Sequence, residues 1–235
     1  MKSLFLGTAA LALTAGVAMA DTVRLGTEGA YPPYNFLNDA GEVDGFEREL
    51  GDELCKRAEL DCEWVTNDWD SIIPNLLSGN YDTIIAGMSI TEERKEVVSF
   101  TQGYTRPSPS AYAALSDVDV NSAVVSAQAS TIQSSHVAST GATLVEFPTP
   151  DETIAAVTAG EVDAVMADKD FLTPIVEETE LQFIAEDVFL GDGIGMAFRQ
   201  SDDELRAKFD AAIDTMKADD SLNALLDKWE IEGKF

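Results

Sequence analysis

Apolar residues recur along the chain with two different spacings. Between residues 46 and 60 they recur every four positions, which is the spacing of one buried helix face. They are Phe46, Leu50, Leu54 and Ala58. Residues 81–86 form a short run that is largely apolar, which is typical of a buried strand. Because such segments alternate along the chain, the pattern predicts an α/β fold with largely parallel sheets.

The predicted elements fall into two successive series. The first has strands at 22–26, 63–65 and 81–86, helices at 46–60 and 70–77, and a helix capped by Thr91. The second has strands at 123–126, 143–147, 162–166 and 181–185, helices at 130–138 and 151–159, and a helix opened by Asp168. Two further helices are predicted at 205–216 and 222–229.

Two stretches rich in helix and strand breakers separate these series, Thr105 to Pro109 and Gly191 to Gly195. Two crossings imply that the chain leaves one lobe, builds a second and returns to the first. We therefore predict two Rossmann-like lobes joined by a two-strand hinge, which allows the lobes to close on a ligand. Lobe 1 would comprise residues 21–107 and 196–235, and lobe 2 residues 108–195.

The N-terminal segment has the features of an export signal. Lys2 supplies a positive charge, an apolar stretch runs from Leu4 to Val17, and Ala18-Met19-Ala20 is a small-residue cleavage site. We predict a signal peptide over residues 1–20 and an exported mature chain. The alternative is an uncleaved anchor, although the apolar stretch is short for a membrane span.

The chain is strongly acidic, with 15 Lys and Arg against 43 Asp and Glu and a net charge of −28. Such a surface repels phosphate backbones and anionic lipids, so we expect neither nucleic-acid binding nor membrane insertion. The acidity could attract a cationic ligand. Since it is spread along the whole chain, solubility is the simpler explanation.

Two cysteines, Cys55 and Cys62, lie seven positions apart. In an exported chain such a local pair predicts a disulfide, which should contribute ~2 kcal/mol. The spacing is not that of a CxxC redox motif and no histidine is near, so we expect a structural pair and no metal.

Four stretches at predicted strand ends carry candidate binding residues, because open α/β sheets bind ligands at this edge. They are Glu28 to Phe36, Asn67 to Asp70, Ala86 to Arg94, and the pair formed by Gln128 to Thr131 with Ala167-Asp168. In the third, an arginine occupies the first turn of a helix, where a basic residue is mildly unfavourable. A guanidinium beside free N–H groups suits a carboxylate.

Each of these stretches also has a purely structural explanation. Trp69 could be a core residue, and Arg94 could form a surface salt bridge with Glu92 or Glu96. The hydroxyl groups near Thr131 could simply cap a helix.

Over residues 22–230 the chain resembles periplasmic binding proteins of polar amino-acid ABC transporters. It is most similar to the group that binds lysine, arginine, ornithine, histidine and opines. The resemblance rests on TEGAYPPYNF, CKRAELDC, DWDSIIPNLLSG, YDTIIAGMSITEERKEVVSFT, TAGEVDAVMAD and GIGMAFR. SITEERKEVVSF is the most specific of these stretches. The resemblance implies the type II solute-binding fold.

The resemblance also implies a ligand shell. Arg94 would bind the α-carboxylate with the N–H groups of Ser89 and Thr131. Asp168, the Ser89 hydroxyl and the Gly87 carbonyl would hold the α-ammonium. Tyr31 and Trp69 would flank the side chain, and Glu28 would meet its distal cation. Ala86 and Met88, from the same strand end as Gly87, complete the predicted set.

Four features depart from the family pattern. Gly87 stands where many relatives have serine, and Ala129 replaces a common glycine. The segment from Ser116 to Ala123 is shortened. Glu28 is one methylene longer than the aspartate of several lysine-preferring relatives and is more typical of arginine binders. The resemblance therefore implies a ligand class rather than one ligand.

We expect a monomeric periplasmic receptor that delivers a basic amino acid, such as arginine, lysine or ornithine, to an inner-membrane ABC permease. Neither a cofactor nor catalysis is expected. One alternative is a binder of another polar amino acid or an opine. Another is an enzyme similar to cyclohexadienyl dehydratase, which would need a general acid or base. The only histidine, His136, lies in a predicted helix.

Overall fold

The computed structural model describes residues 22–235, so the predicted signal peptide lies outside the described residues. The first half of this region contains strands β1 Val23–Thr27, β2 Ala30–Tyr31, β3 Asn35–Leu37, β4 Val43–Asp44, β5 Cys62–Thr66, β6 Thr83–Ile84, β7 Ser99–Phe100 and β8 Pro109–Ala114. Its helices are α1 Phe46–Arg57, α2 Ile72–Leu77 and α3 Glu92–Lys95, and a 3₁₀ turn at Trp69–Ser71 precedes α2.

The second half contains strands β9 Val124–Gln128, β10 Thr143–Phe147, β11 Ala164–Asp168, β12 Gln182–Phe189 and β13 Ala197–Phe198. Its helices are α4 Ile132–Ala138, α5 Pro150–Thr158, α6 Lys169–Glu178, α7 Asp203–Ala218 and α8 Ser221–Lys228. Among residues 22–235, no helix is long and apolar enough to cross a membrane.

Two five-stranded sheets organise the molecule. The first has the order β5-β1-β6-β13-β7 and the second β10-β9-β11-β8-β12. Strands β2, β3 and β4 form a small antiparallel sheet. All strands of the second sheet lie between Pro109 and Phe189, whereas the first sheet combines strands from both sides of that segment. This arrangement supports the predicted lobe boundaries, which stay a prediction.

The sheets are mixed rather than largely parallel. In the first, β1 is parallel to β5 and β6, but β13 is antiparallel to β6 and β7. In the second, β9 is parallel to β10 and β11, but β8 is antiparallel to β11 and β12. The antiparallel pairs of these two five-stranded sheets all involve β8 or β13, the strands that follow the two crossings between the lobes.

The two crossings lie side by side. The amide of Thr101 donates to the Met196 carbonyl at 3.0 Å, and that of Tyr104 donates to the Ile194 carbonyl at 2.8 Å. The Ile194 amide in turn donates to the Thr105 hydroxyl at 3.1 Å. These bonds form the two-strand hinge of the predicted α/β fold. The two breaker-rich stretches are thus connections between the lobes, as their composition indicates.

Several elements begin or end at residues other than those that the sequence predicts. Helix α1 ends at Arg57 rather than Leu60, and the predicted helix at 70–77 begins as a 3₁₀ turn. Ser130 lies outside α4 because its φ is +61°. The helix begins after Thr131, whose side chain accepts the Ser134 amide and caps it. The strand predicted at 81–86 shrinks to two residues.

Core packing explains how the first sheet holds its shape. Leu25 of β1 packs with Leu50 and Leu54 of α1 and with Phe209 of α7, and all four are fully buried. The predicted Cys55–Cys62 disulfide is present and joins α1 to β5. The carboxyl end of β1, where the candidate residues begin, therefore rests on a rigid base.

Candidate functional site

A cavity that is partly open to solvent lies between the lobes. Its walls include nine of the ten predicted ligand-binding residues. These are Glu28, Tyr31, Trp69, Ala86, Gly87, Ser89, Arg94, Thr131 and Asp168. They come from the carboxyl ends of several strands in both lobes. The structure thus brings together residues that lie up to 140 positions apart (168 − 28) in the sequence.

Arg94 belongs to α3, whose first turn Thr91 caps by accepting the Arg94 amide at 3.1 Å. Its guanidinium donates to the Ser89 carbonyl at 2.9 Å and, from across the cleft, to the Ser130 carbonyl at 3.4 Å. Among residues 22–235, no acidic side chain forms a salt bridge with Arg94. The alternative of a surface pair with Glu92 or Glu96 is therefore wrong.

Burial lowers the pKa of Arg94 to about 10, and nearby Asp168 and Glu93 oppose this shift. The group stays cationic at neutral pH. A buried cation that has only neutral carbonyls as partners is costly. It would be stabilised by an anion entering the cavity.

Asp168 lies at the end of β11 and immediately before α6. Its Oδ2 accepts the Tyr31 hydroxyl at 2.9 Å, and its Oδ1 accepts Gln133 Nε2 at 2.8 Å and, more distantly, the Ser110 hydroxyl at 3.4 Å. Burial raises its pKa to about 6, although these hydrogen bonds oppose the shift. Among the described residues it has no salt-bridge partner, so it can receive a cation.

Glu28 follows β1 and also lines the cavity. Burial raises its pKa to about 7, and Asp68, Asp70 and Asp151 add to the shift. Its Oε1 accepts Gln128 Nε2 from the opposite lobe at 2.6 Å. The surroundings of this carboxylate are therefore negative, which favours a cation nearby.

Two aromatic residues line the cavity, but neither is free on all sides. The ring of Tyr31 stacks on Phe171 with centroids 4.4 Å apart and an interplanar angle of 7°. Trp69 is 8% exposed and packs in the lobe 1 core, as its structural explanation held, while the Arg94 guanidinium lies 5.4 Å from its ring centroid. Trp69 thus serves the core and also supports the arginine by a cation–π contact.

A fully buried glutamate fixes the floor of the cavity. Glu47 of α1 accepts the Gly87 amide at 2.6 Å and Asn35 Nδ2 at 2.7 Å, and it also accepts the Tyr104 hydroxyl beside the hinge. Burial raises the pKa of Glu47. Gly87 has a φ of +60°, a conformation that favours glycine over the serine of many relatives.

Met88 is the one predicted binding residue whose side chain does not line this cavity. It is fully buried in the lobe 1 core beside Trp69. The chain turns here, since Gly87 has a φ of +60°, and Met88 enters the core while Gly87 and Ser89 line the cavity. Its neighbour Ala86, 4% exposed, does line the cavity.

Comparison with known proteins identifies the family of this chain. The sequence model for bacterial extracellular solute-binding proteins, family 3, matches residues 23–232. The chain belongs to this family.

Two individual relatives are also named as binding proteins. The chain is 31% identical to the L-arginine-binding protein of Pseudomonas aeruginosa, over 88% of this chain and 87% of the relative. It is 31% identical to the octopine-binding periplasmic protein of Rhizobium meliloti, over 86% of this chain and 82% of the relative.

A solved structure is more similar still. It is a periplasmic binding protein of the His/Glu/Gln/Arg/opine family from Silicibacter pomeroyi, in complex with lysine. The identity is 68%, the TM-score is 0.87, and the match covers 88% of this chain and 96% of that one. The type II fold expected from the sequence is thus confirmed.

This family 3 protein has its two lobes in direct contact across the cleft. Tyr31 bonds to Asp168, Glu28 to Gln128, and Trp69 Nε1 donates to the Ser130 carbonyl at 3.3 Å. Tyr34 donates to Asp170 at 2.8 Å outside the cavity. The described arrangement is therefore a closed one.

The sequence interpretation missed Gln133 and Ser110 of this solute-binding cleft, and it named Gln128 only as part of a candidate stretch without a role. Gln128 and Gln133, both buried, hold the Glu28 and Asp168 carboxylates. Ser110, at the start of β8, also reaches Asp168. No local pattern marks these side chains, because a glutamine near a helix start has many uses. His136 is partly buried on α4 and does not line the cavity.

Proposed function

We propose that this family 3 solute-binding protein captures a cationic L-amino acid, such as lysine, ornithine or arginine, between its two lobes. Arg94 would bind the α-carboxylate with the Ser89 and Thr131 amides, and Asp168 would bind the α-ammonium with Ser89 and the Gly87 carbonyl. Glu28 would meet the side-chain cation, with Tyr31 and Trp69 along the side chain.

One observation carries the proposal. Arg94 and Asp168 are both partly buried, line the same cavity and lack a salt bridge with any residue in the 22–235 region. Burying unpaired ions is costly, so a complementary pair of ligand charges would stabilise both at once. A free amino acid carries such a pair on one carbon atom.

A third charged side chain, that of Glu28, narrows the class of ligand. With Glu28 ionised, the cavity contains one cation, Arg94, and two anions, Asp168 and Glu28. A zwitterion with one additional positive charge would neutralise all three. The 68% identical protein whose structure contains lysine, and the relative named for L-arginine, support this class. The octopine-binding relative keeps an opine as the second candidate, because an opine also has an α-carboxylate.

The cellular role follows from the family. We infer a monomeric periplasmic receptor, exported by the signal peptide at residues 1–20, that hands its ligand to an inner-membrane ABC permease. We also infer that it binds without chemical conversion. Each ionised side chain of the cavity has a ligand charge to pair with, which leaves no acid or base dedicated to a reaction.

Calorimetry with lysine, ornithine, arginine, histidine, glutamine and octopine tests the ligand class. We expect heat of binding from the cationic amino acids and little from glutamine. Arg94→Ala should weaken binding by about a hundredfold or more, since it leaves the α-carboxylate of the ligand buried and unpaired.

Arg48→Ala is the matched control, because Arg48 pairs with Asp52 on α1, outside the cavity. It should keep the wild-type affinity. The proposal is wrong if every cationic compound is silent, or if Arg94→Ala binds as well as Arg48→Ala does. Turnover of prephenate or arogenate would instead identify an enzyme.

A further inference from the structure

The Glu28 carboxylate has two oxygens in different situations. Its Oε1 accepts Gln128 Nε2 at 2.6 Å. Among residues 22–235, no hydrogen bond reaches Oε2, and Glu28 lines the cavity. Lobe 2 therefore engages one acceptor position of Oε1, whereas Oε2 accepts no bond from these residues and is open to a ligand.

The orientation of the Gln128 amide is fixed by its partners. Nε2 donates both to Glu28 Oε1 and to the Pro148 carbonyl at 3.1 Å. Both partners are acceptors, so both amide hydrogens are used and the amide cannot rotate without losing a bond. Gln128 is only 8% exposed, so water does not readily replace it.

This arrangement discriminates between two cationic head groups. A guanidinium binds a carboxylate best through two parallel N–H bonds, one to each oxygen. An ammonium is a compact donor that needs only one acceptor oxygen. A carboxylate with one oxygen already occupied suits an ammonium better than a guanidinium.

We propose that Gln128 is a specificity-determining residue, which favours lysine and ornithine over arginine by occupying one oxygen of Glu28. Gln128 acts on the ligand through Glu28 and is thus a positioning residue. This inference rests on the proposed function. It also opposes the preference for arginine that the length of Glu28 alone indicates.

The test compares head groups. In the wild-type protein, lysine and ornithine should bind about tenfold more tightly than arginine, the value of one hydrogen bond to a charged group. Gln128→Met keeps an unbranched side chain of similar size but removes the donor. It should lower the lysine-to-arginine affinity ratio by about tenfold, because both oxygens of Glu28 become available to the guanidinium.

Two controls separate this effect from a general loss of closure. Tyr34→Phe removes another bond between the lobes, Tyr34 to Asp170, which does not involve the cavity. It should weaken lysine and arginine binding by the same factor. In a Glu28→Gln background, Gln128→Met should no longer alter the ratio, as a double-mutant cycle requires of coupled residues.

The outcomes are distinct. If the wild-type protein binds no cationic amino acid, the proposed function fails. If it binds them but prefers arginine, or if folded Gln128→Met keeps the wild-type ratio, only the role of Gln128 is wrong. Gln128→Ala, checked by thermal unfolding, provides a second variant should the methionine not fold. A ratio that changes equally in Tyr34→Phe would also contradict the proposal.

Discussion

Three ionisable side chains at the cleft differ in how firmly they keep their charge. Arg94, with a pKa of about 10, stays cationic at neutral pH despite its burial. Glu28 and Asp168 have pKa values raised to about 7 and about 6, because burial disfavours their anions. The two carboxylates are thus anions of reduced stability until a cation enters. A ligand cation would stabilise these anions and so offset the solvation that they lose on burial.

The raised pKa of Glu28 makes capture of a cationic ligand depend on pH. The ligand requires the ionised carboxylate, so binding below about pH 7 must release a proton. We expect the affinity for lysine to fall about tenfold between pH 8 and pH 6, as calorimetry in several buffers would measure. Glu28→Gln should remove the part of this dependence that titrates near pH 7, and an unaltered profile in that variant would contradict the assignment.

The raised pKa of Glu28 also makes the stability of the ligand-free protein depend on pH, but in the opposite direction to ligand binding. The folded-state pKa of Glu28, about 7, exceeds the ordinary value of 4.5. Between these values the folded state binds more protons than the unfolded state, so the free energy of unfolding decreases as pH rises through this window. Ligand binding and ligand-free stability therefore respond to pH in opposite directions.

At the residue scale, the sequence located charges better than the groups that orient them. Arg94 could be predicted because an arginine in the first turn of a helix is locally unfavourable and needs a reason. Asp168 could be predicted as a carboxylate at a strand end, and the resemblance then implied its role toward the α-ammonium. The role of Gln128 and the place of Gln133 at the site could not be predicted, because their partners lie in distant segments, as in the bond between Glu28 and Gln128 across the cleft.

At the scale of elements, the site rests on segments that are fixed elsewhere. Helix α1 presents Glu47 to the Gly87 amide, and its far end is tied to β5 by the Cys55–Cys62 disulfide. The eight-residue loop that the disulfide closes lies in lobe 1, and neither cysteine lines the cavity. The crosslink should thus contribute to stability without altering the ligand contacts.

Replacing both cysteines by alanine tests this separation. We expect the free energy of unfolding, from urea titration, to fall by ~2 kcal/mol, because the unfolded chain regains loop entropy. The affinity of the folded variant for lysine should remain that of the wild type. A large loss of affinity at full folding would show that α1 transmits the crosslink to Gly87.

The periodic helices could be predicted from their spacing, whereas the two-residue strands β7 and β13 could not. The four-residue spacing of Phe46, Leu50 and Leu54 identifies α1, since these side chains are fully buried. Strands β7 and β13 have two residues each, and they pair with each other and, through β13, with β6. Their pairing is imposed by the hinge crossings, and two residues cannot display a period.

At the scale of the whole molecule, closure is held by bonds inside and outside the cavity. Tyr34, fully buried in lobe 1, donates to Asp170 Oδ2 at 2.8 Å. The amide of Glu232 approaches Asp170 Oδ1 at 3.4 Å, so the C-terminal segment joins the same contact. Burial raises the pKa of Asp170, although both donors oppose that shift. This contact stabilises the closed state without touching the ligand site.

Tyr34→Phe should therefore weaken every ligand by one common factor. We expect a five- to tenfold loss, roughly the value of one hydrogen bond to a charged group that exists only in the closed state. Calorimetry with lysine and arginine measures the factor, and small-angle scattering of the ligand-free variant should show a larger radius. An effect on one ligand alone would contradict a role in closure.

The position of β13 in the first sheet bears on the order in which the chain can fold. This strand lies between β6 and β7, yet it follows the whole second sheet in the sequence. A nascent chain that emerges N-terminus first can thus assemble the second sheet, Pro109 to Phe189, while the first still lacks an interior strand. Ala197 and Phe198, fully buried, complete the first sheet. The lobe that begins the chain can therefore complete its sheet only after the chain of the other lobe has been made.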